Sequence, residues 1–217
     1  MKLQLSLDKV NLDEALVIIE ETKQSVDILE VGTPLALKYG VKAISLLKQT
    51  YPAKEVLADY KIIDGGQYEA SMAFEAGADI VTVLGVASDL TIAGTIIAAR
   101  KYKRKVMVDL IGVMDIRERI PSVEILGVDY MCIHTAMDVQ NSNENPIAQF
   151  MVAKQIATST RLAVAGGLNI NNISAIVPYQ PEIVVVGTGI TAELDRAKAA
   201  ADIKQKFYEA NHASRLL

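Results

Sequence analysis

The sequence predicts a closed (β/α)₈ barrel in one domain over residues 1–217. Three observations predict it. Eight short β-rich runs recur at near-even spacing through 217 residues, a length that suits one large domain. Amphipathic helical stretches separate them, and strand–helix alternation implies a parallel sheet. The first run is followed by "DKVNLDEA", which lacks the glycine-rich turn of an open doubly wound sheet, the alternative architecture.

The runs are "LQLSL" (3–7), "VDILEV" (26–31), "EVLADY" (55–60), "DIVTVL" (79–84), "KVMVDL" (105–110), "DYMCIH" (129–134), "RLAVAG" (161–166) and "EIVVVG" (182–187). Between the first two, Asn11 is the expected N-cap of a helix and Glu14, three residues on, completes a capping box. Leu12, Ala15, Leu16 and Ile19 share one face of that helix. Gly77 and Gly127 stand where helix C-terminal glycines belong, just before the next strand. The last helix is expected from near Thr191 to about Glu209, with a frayed tail from about 210. No linker or low-complexity tract divides the chain.

The chain is 51% hydrophobic and 22% charged, enough apolar material for a substantial core. A formal charge of −4 without a basic patch argues against nucleic acid as a partner. One cysteine, Cys132, excludes an intrachain disulfide and a cysteine metal cluster, and suits a reducing compartment. "MKLQLSLDKV" reaches charge too soon for a signal peptide, and no apolar run approaches the ~20 residues of a membrane span. A soluble cytoplasmic protein is expected.

Barrel chemistry gathers at the C-terminal strand ends, and alternate strand residues point inward. By that parity Asp8 ends the first strand, Glu30 the second, Asp59 and Lys61 the third, Asp109 the fifth and His134 the sixth. The opposite strand ends show no comparable pattern in the sequence. Singly, each residue has an ordinary explanation: Asp8 as a loop cap, Glu30 as an ion-pair partner of Lys61, His134 as a hydrogen-bonded core histidine. Together, four carboxylates around one lysine and one histidine would repel unless a cation joined them. Oxygen ligands favour Mg²⁺ over Zn²⁺. The seventh and eighth strands end in "AVAGGLN" and "VVVGTGIT", where Gly166, Gly167, Gly187 and Gly189 flank the turns with Thr188. Glycine lets backbone N–H groups approach a ligand, and these loops commonly hold phosphate in barrels. Tight turns alone would also explain them.

Asp59-x-Lys61-x-x-Asp64 resembles the D-x-K-x-x-D motif of the orotidine monophosphate decarboxylase suprafamily. "DILEVGTPL", "EAGADIVTVLG", "GVDYMCIHTAMDVQ" and "VVVGTGIT" extend the resemblance along nearly the whole chain, toward the 3-hexulose-6-phosphate synthases within it. The sister 3-keto-L-gulonate-6-phosphate decarboxylases carry an arginine where Met137 stands. The chain departs from the synthase pattern at Ala136, Met137, Thr188 and residues 140–145, "QNSNEN".

The resemblance implies a reversible aldol condensation of D-ribulose 5-phosphate with formaldehyde through a 1,2-enediolate. It implies Mg²⁺ (or Mn²⁺) held by Glu30 and Asp59, with Lys61 as a second cation. His134 would move the C1 proton, and Asp109 and Asp8 would orient hydroxyls and water. Asp64 would serve a neighbouring subunit's site, making the protein a homodimer with sites at the interface. The sister decarboxylase reaction and a non-catalytic sugar-phosphate binder remain the alternatives.

Overall fold

The computed structural model describes residues 1–139 and 146–213; the stretch 140–145, singled out above, lies outside the described residues. Eight parallel strands close into one barrel: β1 (Lys2–Leu7), β2 (Ile28–Val31), β3 (Glu55–Ile62), β4 (Ile80–Leu84), β5 (Lys105–Asp109), β6 (Tyr130–His134), β7 (Arg161–Ala165) and β8 (Ile183–Val186). Closure is the pairing of β1 with β8, where Gln4 sits opposite Val185.

The helices are α1 (Leu12–Thr22), α2 (Thr33–Tyr39), α3 (Val41–Thr50), α4 (Gly66–Glu75), α5 (Asp89–Tyr102), α6 (Ile116–Ile125), α7 (Pro146–Ile156), α8 (Thr188–Thr191) and α9 (Arg196–Ala213). The α1 capping box forms as expected: Asn11 accepts from the Glu14 amide at 3.0 Å and Glu14 accepts from the Asn11 amide at 2.8 Å. Gly77 and Gly127 close α4 and α6 at φ +108° and +82°, a region that favours glycine. Between β7 and β8 the described chain makes two short 3₁₀ turns, Ile173–Ala175 and Val177–Tyr179, in a segment with asparagines and Pro178.

The final helix differs from the sequence expectation at both ends. Thr188–Thr191 is a separate turn of helix, and α9 begins at Arg196 after a break at residues 192–195. Arg196 Nε donates to the Thr191 carbonyl at 2.9 Å, which ties the two pieces together. At the other end α9 continues past 210 to Ala213.

Alternation divides the apolar residues into two layers. Ile28, Leu57, Ile80, Met107, Tyr130, Cys132, Ala163 and Ile183 fill the barrel lumen. Leu3, Leu5, Leu29, Val56, Val81, Val106, Met131 and Val184 face outward under the helices. Strands buried on both faces read as continuous hydrophobic runs.

The N-terminal strand ends are more charged than the sequence reading allowed. Glu55 is paired with both Lys2 and Lys105, and the Arg161 guanidinium lies 4.5 Å from the Tyr130 ring centroid. Asp27, Asp79 and Asp129, each just ahead of an even-numbered strand, accept from the amides of Leu3, Val56 and Val106 on the preceding odd-numbered strand. Each is also paired with a cation: Asp27 with Lys204, Asp79 with Lys48 and Arg104, Asp129 with Arg100. In the runs read from the sequence the three acids have outward parity, so the inward test passes over them.

Candidate active site

A cavity of about 460 Å³ opens at the C-terminal ends of the strands. Asp8, Glu30, Asp59, Lys61, Asp109, His134, Gly166, Gly167, Gly187 and Thr188 line it, so ten of the twelve residues singled out from the sequence converge there. Asp64 and Gly189 do not. Asp64 is exposed and its carboxylate accepts from the Gly65 amide at 2.7 Å, in the turn that starts α4. Gly189 packs against the β7 loop: a Cβ there would lie 2.4 Å from the Leu168 carbonyl oxygen.

Glu30 does not pair with Lys61 for structure. Its carboxyl takes the Gln4 amide at 2.6 Å and contacts Ser6 Oγ at 2.9 Å, and Ser6 Oγ lies 2.8 Å from Asp8. A hydroxyl has one hydrogen for two carboxyl neighbours. Burial, together with Asp59 and Asp8, pushes Glu30 up to about 8, so near neutrality Glu30 carries a proton and satisfies the second contact. Burial likewise raises Asp8.

Asp59 is held from three sides. Thr33 Oγ1 lies 2.8 Å from its carboxylate and Thr82 Oγ1 donates to it at 2.8 Å. The Lys61 ammonium pairs with the same group and also reaches Asp109 at 3.5 Å. Burial works against the ammonium, but Asp59 and Asp109 outweigh it and keep Lys61 protonated. Simple alternation does not describe Lys61. Its φ is +47°, and the β3–β4 register shifts between Ala58 and Ile62. A left-handed conformation costs an L-residue about 1–2 kcal/mol.

Asp109 lies 2.8 Å from His134 Nδ1 and accepts from the Ile111 amide at 3.0 Å. Burial raises its pKa, but His134, Lys61 and the amide lower it further, so it is a carboxylate. A carboxylate only accepts, so Nδ1 carries the hydrogen and Nε2 is the basic atom of neutral His134.

Gly166 and Gly167 sit at φ +107° and +67°, and a Cβ on Gly166 would meet the Thr135 carbonyl at 2.5 Å. Lys9, exposed just past the end of β1, lines the same cavity.

Among the described residues no group of three or more His, Cys, Asp or Glu is set to hold a metal ion. Mg²⁺ asks for less: one or two carboxylates, the rest water and substrate oxygens. Glu30 and Asp59 both line the cavity and offer two carboxyl groups to that end. The donor set therefore fits Mg²⁺.

Parity found the ionisable groups but not the hydroxyl and amide donors that hold them. Thr82 shares the inward line of Ile80, and applying the same test to β4 would have exposed it. Thr33, at the start of α2, carries no such signal.

Carboxylates, a lysine and a histidine at the C-terminal mouth of a closed parallel barrel define a (β/α)₈-barrel enzyme. A model of the orotidine 5'-phosphate decarboxylase / HUMPS family matches residues 1–203. The 3-hexulose-6-phosphate synthase of Bacillus subtilis (strain 168) is 42% identical over 205 residues, 94% of this chain and 98% of that protein. The crystal structure of 3-hexulose-6-phosphate synthase from Salmonella typhimurium superposes with a TM-score of 0.95 at 42% identity, covering 97% of this chain and 100% of that one. KGPDC from Streptococcus mutans shares the fold at 24% identity with a TM-score of 0.89, covering 96% of this chain and 98% of that one. The chain belongs to the orotidine 5'-phosphate decarboxylase / HUMPS family and, within it, to the 3-hexulose-6-phosphate synthases. No helix among the described residues is long and apolar enough to cross a membrane.

Proposed function

We propose that the protein catalyses the reversible aldol condensation of D-ribulose 5-phosphate with formaldehyde to D-arabino-hex-3-ulose 6-phosphate, with Mg²⁺ or Mn²⁺ as cofactor. The observation that carries this reading is the chain Asp59–Lys61–Asp109–His134, which aligns a fixed ammonium and an oriented base on one cavity.

Glu30 and Asp59 would hold the metal, which would supply positive charge to offset the charge that develops on substrate oxygen. His134 Nε2 takes the C1 proton of the pentulose, leaving the 1,2-enediolate. Lys61 places a second positive charge near the developing oxyanion. C1 then forms the bond to the formaldehyde carbon, and the proton on His134 passes to the new alkoxide. Asp8 and Asp109 orient hydroxyls and water. The glycine turns at 166–167 and 187–188 present backbone amides to the phosphate.

Asp64 serves the site of a second copy in a homodimer. Its exposure beside exposed Ile63, Tyr68 and Met72 supports this assignment. The buried single thiol of Cys132 fits the cytoplasm.

The test is formaldehyde consumption with ribulose 5-phosphate and Mg²⁺, with a chelator control. Loss of formaldehyde that the chelator stops is the expected result. Release of CO₂ from 3-keto-L-gulonate 6-phosphate instead would favour the decarboxylase. Inactivity in both, with thermal stabilisation by ribulose 5-phosphate, would favour a binder.

A further inference from the structure

Lys61 is held in a backbone conformation that its own side chain disfavours, at the point where the β3–β4 pairing slips. The residue facing that slip from β4 is Thr82, which is 3% exposed. Its Oγ1 accepts from the Lys61 backbone N–H at 2.9 Å and donates its single hydrogen to Asp59 Oδ1 at 2.8 Å. One hydroxyl thus joins the backbone of the residue that supplies the ammonium to the carboxylate on the metal side of the cavity.

We propose that Thr82 is a positioning residue for the reaction. It fixes the Asp59 carboxylate and the Lys61 backbone turn relative to each other, so that Nζ is aimed between Asp59 and Asp109. The assignment rests on the function proposed above. A threonine that merely filled the lumen would not need both contacts, since its neighbours there, Ile80 and Met107, are apolar. Supporting hydrogen bonds of this kind set the orientation and basicity of the ligands they touch.

Thr82→Val keeps the shape and removes both contacts; Thr82→Ser keeps the hydroxyl. In Thr82→Val, kcat for formaldehyde consumption should fall by about 10–100-fold, and Mn²⁺ affinity of the substrate-free protein, read by electron paramagnetic resonance, should weaken at least about tenfold. The KM for ribulose 5-phosphate should stay within about threefold, and Thr82→Ser should restore kcat and Mn²⁺ affinity to within the same margin. A lower Tm with kcat and Mn²⁺ affinity unchanged would overturn the proposal. So would a Thr82→Ser variant as impaired as Thr82→Val. If Thr82→Val does not yield folded protein, Thr82→Ala is judged by the same criteria. Wild-type protein that binds Mn²⁺ without consuming formaldehyde sinks the reaction alone, and the Mn²⁺ measurement then decides the role of Thr82. Wild-type protein that does neither overturns both.

Discussion

His134 Nδ1 and Asp109 Oδ2 lie 2.8 Å apart, and this contact sets both the tautomer and the basicity of the imidazole. Burial disfavours imidazolium, but the Asp109 carboxylate outweighs burial and raises the His134 pKa above its ordinary 6.5. If neutral His134 is the base, the acid limb of kcat/KM falls above pH 6.5. Asp109→Asn should move that limb to lower pH, which a pH–rate profile reads directly. The raised pKa also fixes the stability linkage. Protonated His134 contributes stability that is full below pH 6.5 and lost as pH rises through its folded pKa. Separately, His134→Ala should stop exchange of the C1 proton of ribulose 5-phosphate in deuterated water; ordinary exchange in that variant would remove His134 as the base.

Asp59→Ala should abolish metal-dependent turnover while circular dichroism stays unchanged. The substitution leaves Thr33, Thr82 and Lys61 facing a void at the cavity rather than in the helix-covered core. Retained chelator-sensitive activity would contradict the metal role.

Asp64 is tested by mixing. Asp64→Ala and His134→Ala should each be inactive as homodimers. If sites are shared between subunits, random exchange makes half the dimers mixed with one intact site each, so about a quarter of full activity returns. No recovery after exchange, verified by native mass spectrometry, would place each site within one chain.

The lower strand ends answer to stability alone. Asp79→Ala strands the Val56 amide and the Lys48 and Arg104 cations at a largely buried position. Loss of about 3 kcal/mol is expected, because deleting one partner of a buried charge network exposes the others' desolvation. Urea denaturation measures it, and the kcat of the folded fraction should not change.

Glu124, in α6, gives an acid signature. Its small burial raises the pKa, but the amides of Ser159 and Thr160 and the Thr158 side chain and amide bring it down to about 2. A depressed carboxylate contributes stability present above the unfolded value of 4.5 and lost as pH falls toward 2. Glu124→Gln should flatten the stability profile over that window, as followed by chemical denaturation at successive pH values.

The barrel was legible in the sequence because eight apolar runs, helix caps and strand-end parity all specify the same architecture. The cluster Asp8, Glu30, Asp59, Asp109 and His134 was legible because five strands each place an ionisable residue at the inward C-terminal end, a convergence that the ordinary explanation of each residue alone does not cover. What parity could not show is the bent backbone of Lys61, since φ depends on the neighbouring strand and not on the identity of the lysine. The break before α9 is not legible because residues 192–195, Ala-Glu-Leu-Asp, hold no glycine or proline to mark it; the Arg196–Thr191 contact spans it. The lower ion pairs are not legible because Asp27, Asp79 and Asp129 have the outward parity of their runs, and the amides and cations they bind lie on other elements.

The pairing of those three acids has an evolutionary corollary. Every one of them ties two successive strands together from the face opposite the cavity, with its own basic partner. The residues that tie these strand pairs together are thus physically separate from those that would meet a sugar. Substitutions around Ala136, Met137 and Thr188 can accumulate without touching the strand register, so one scaffold can drift among substrates while its closure stays the same.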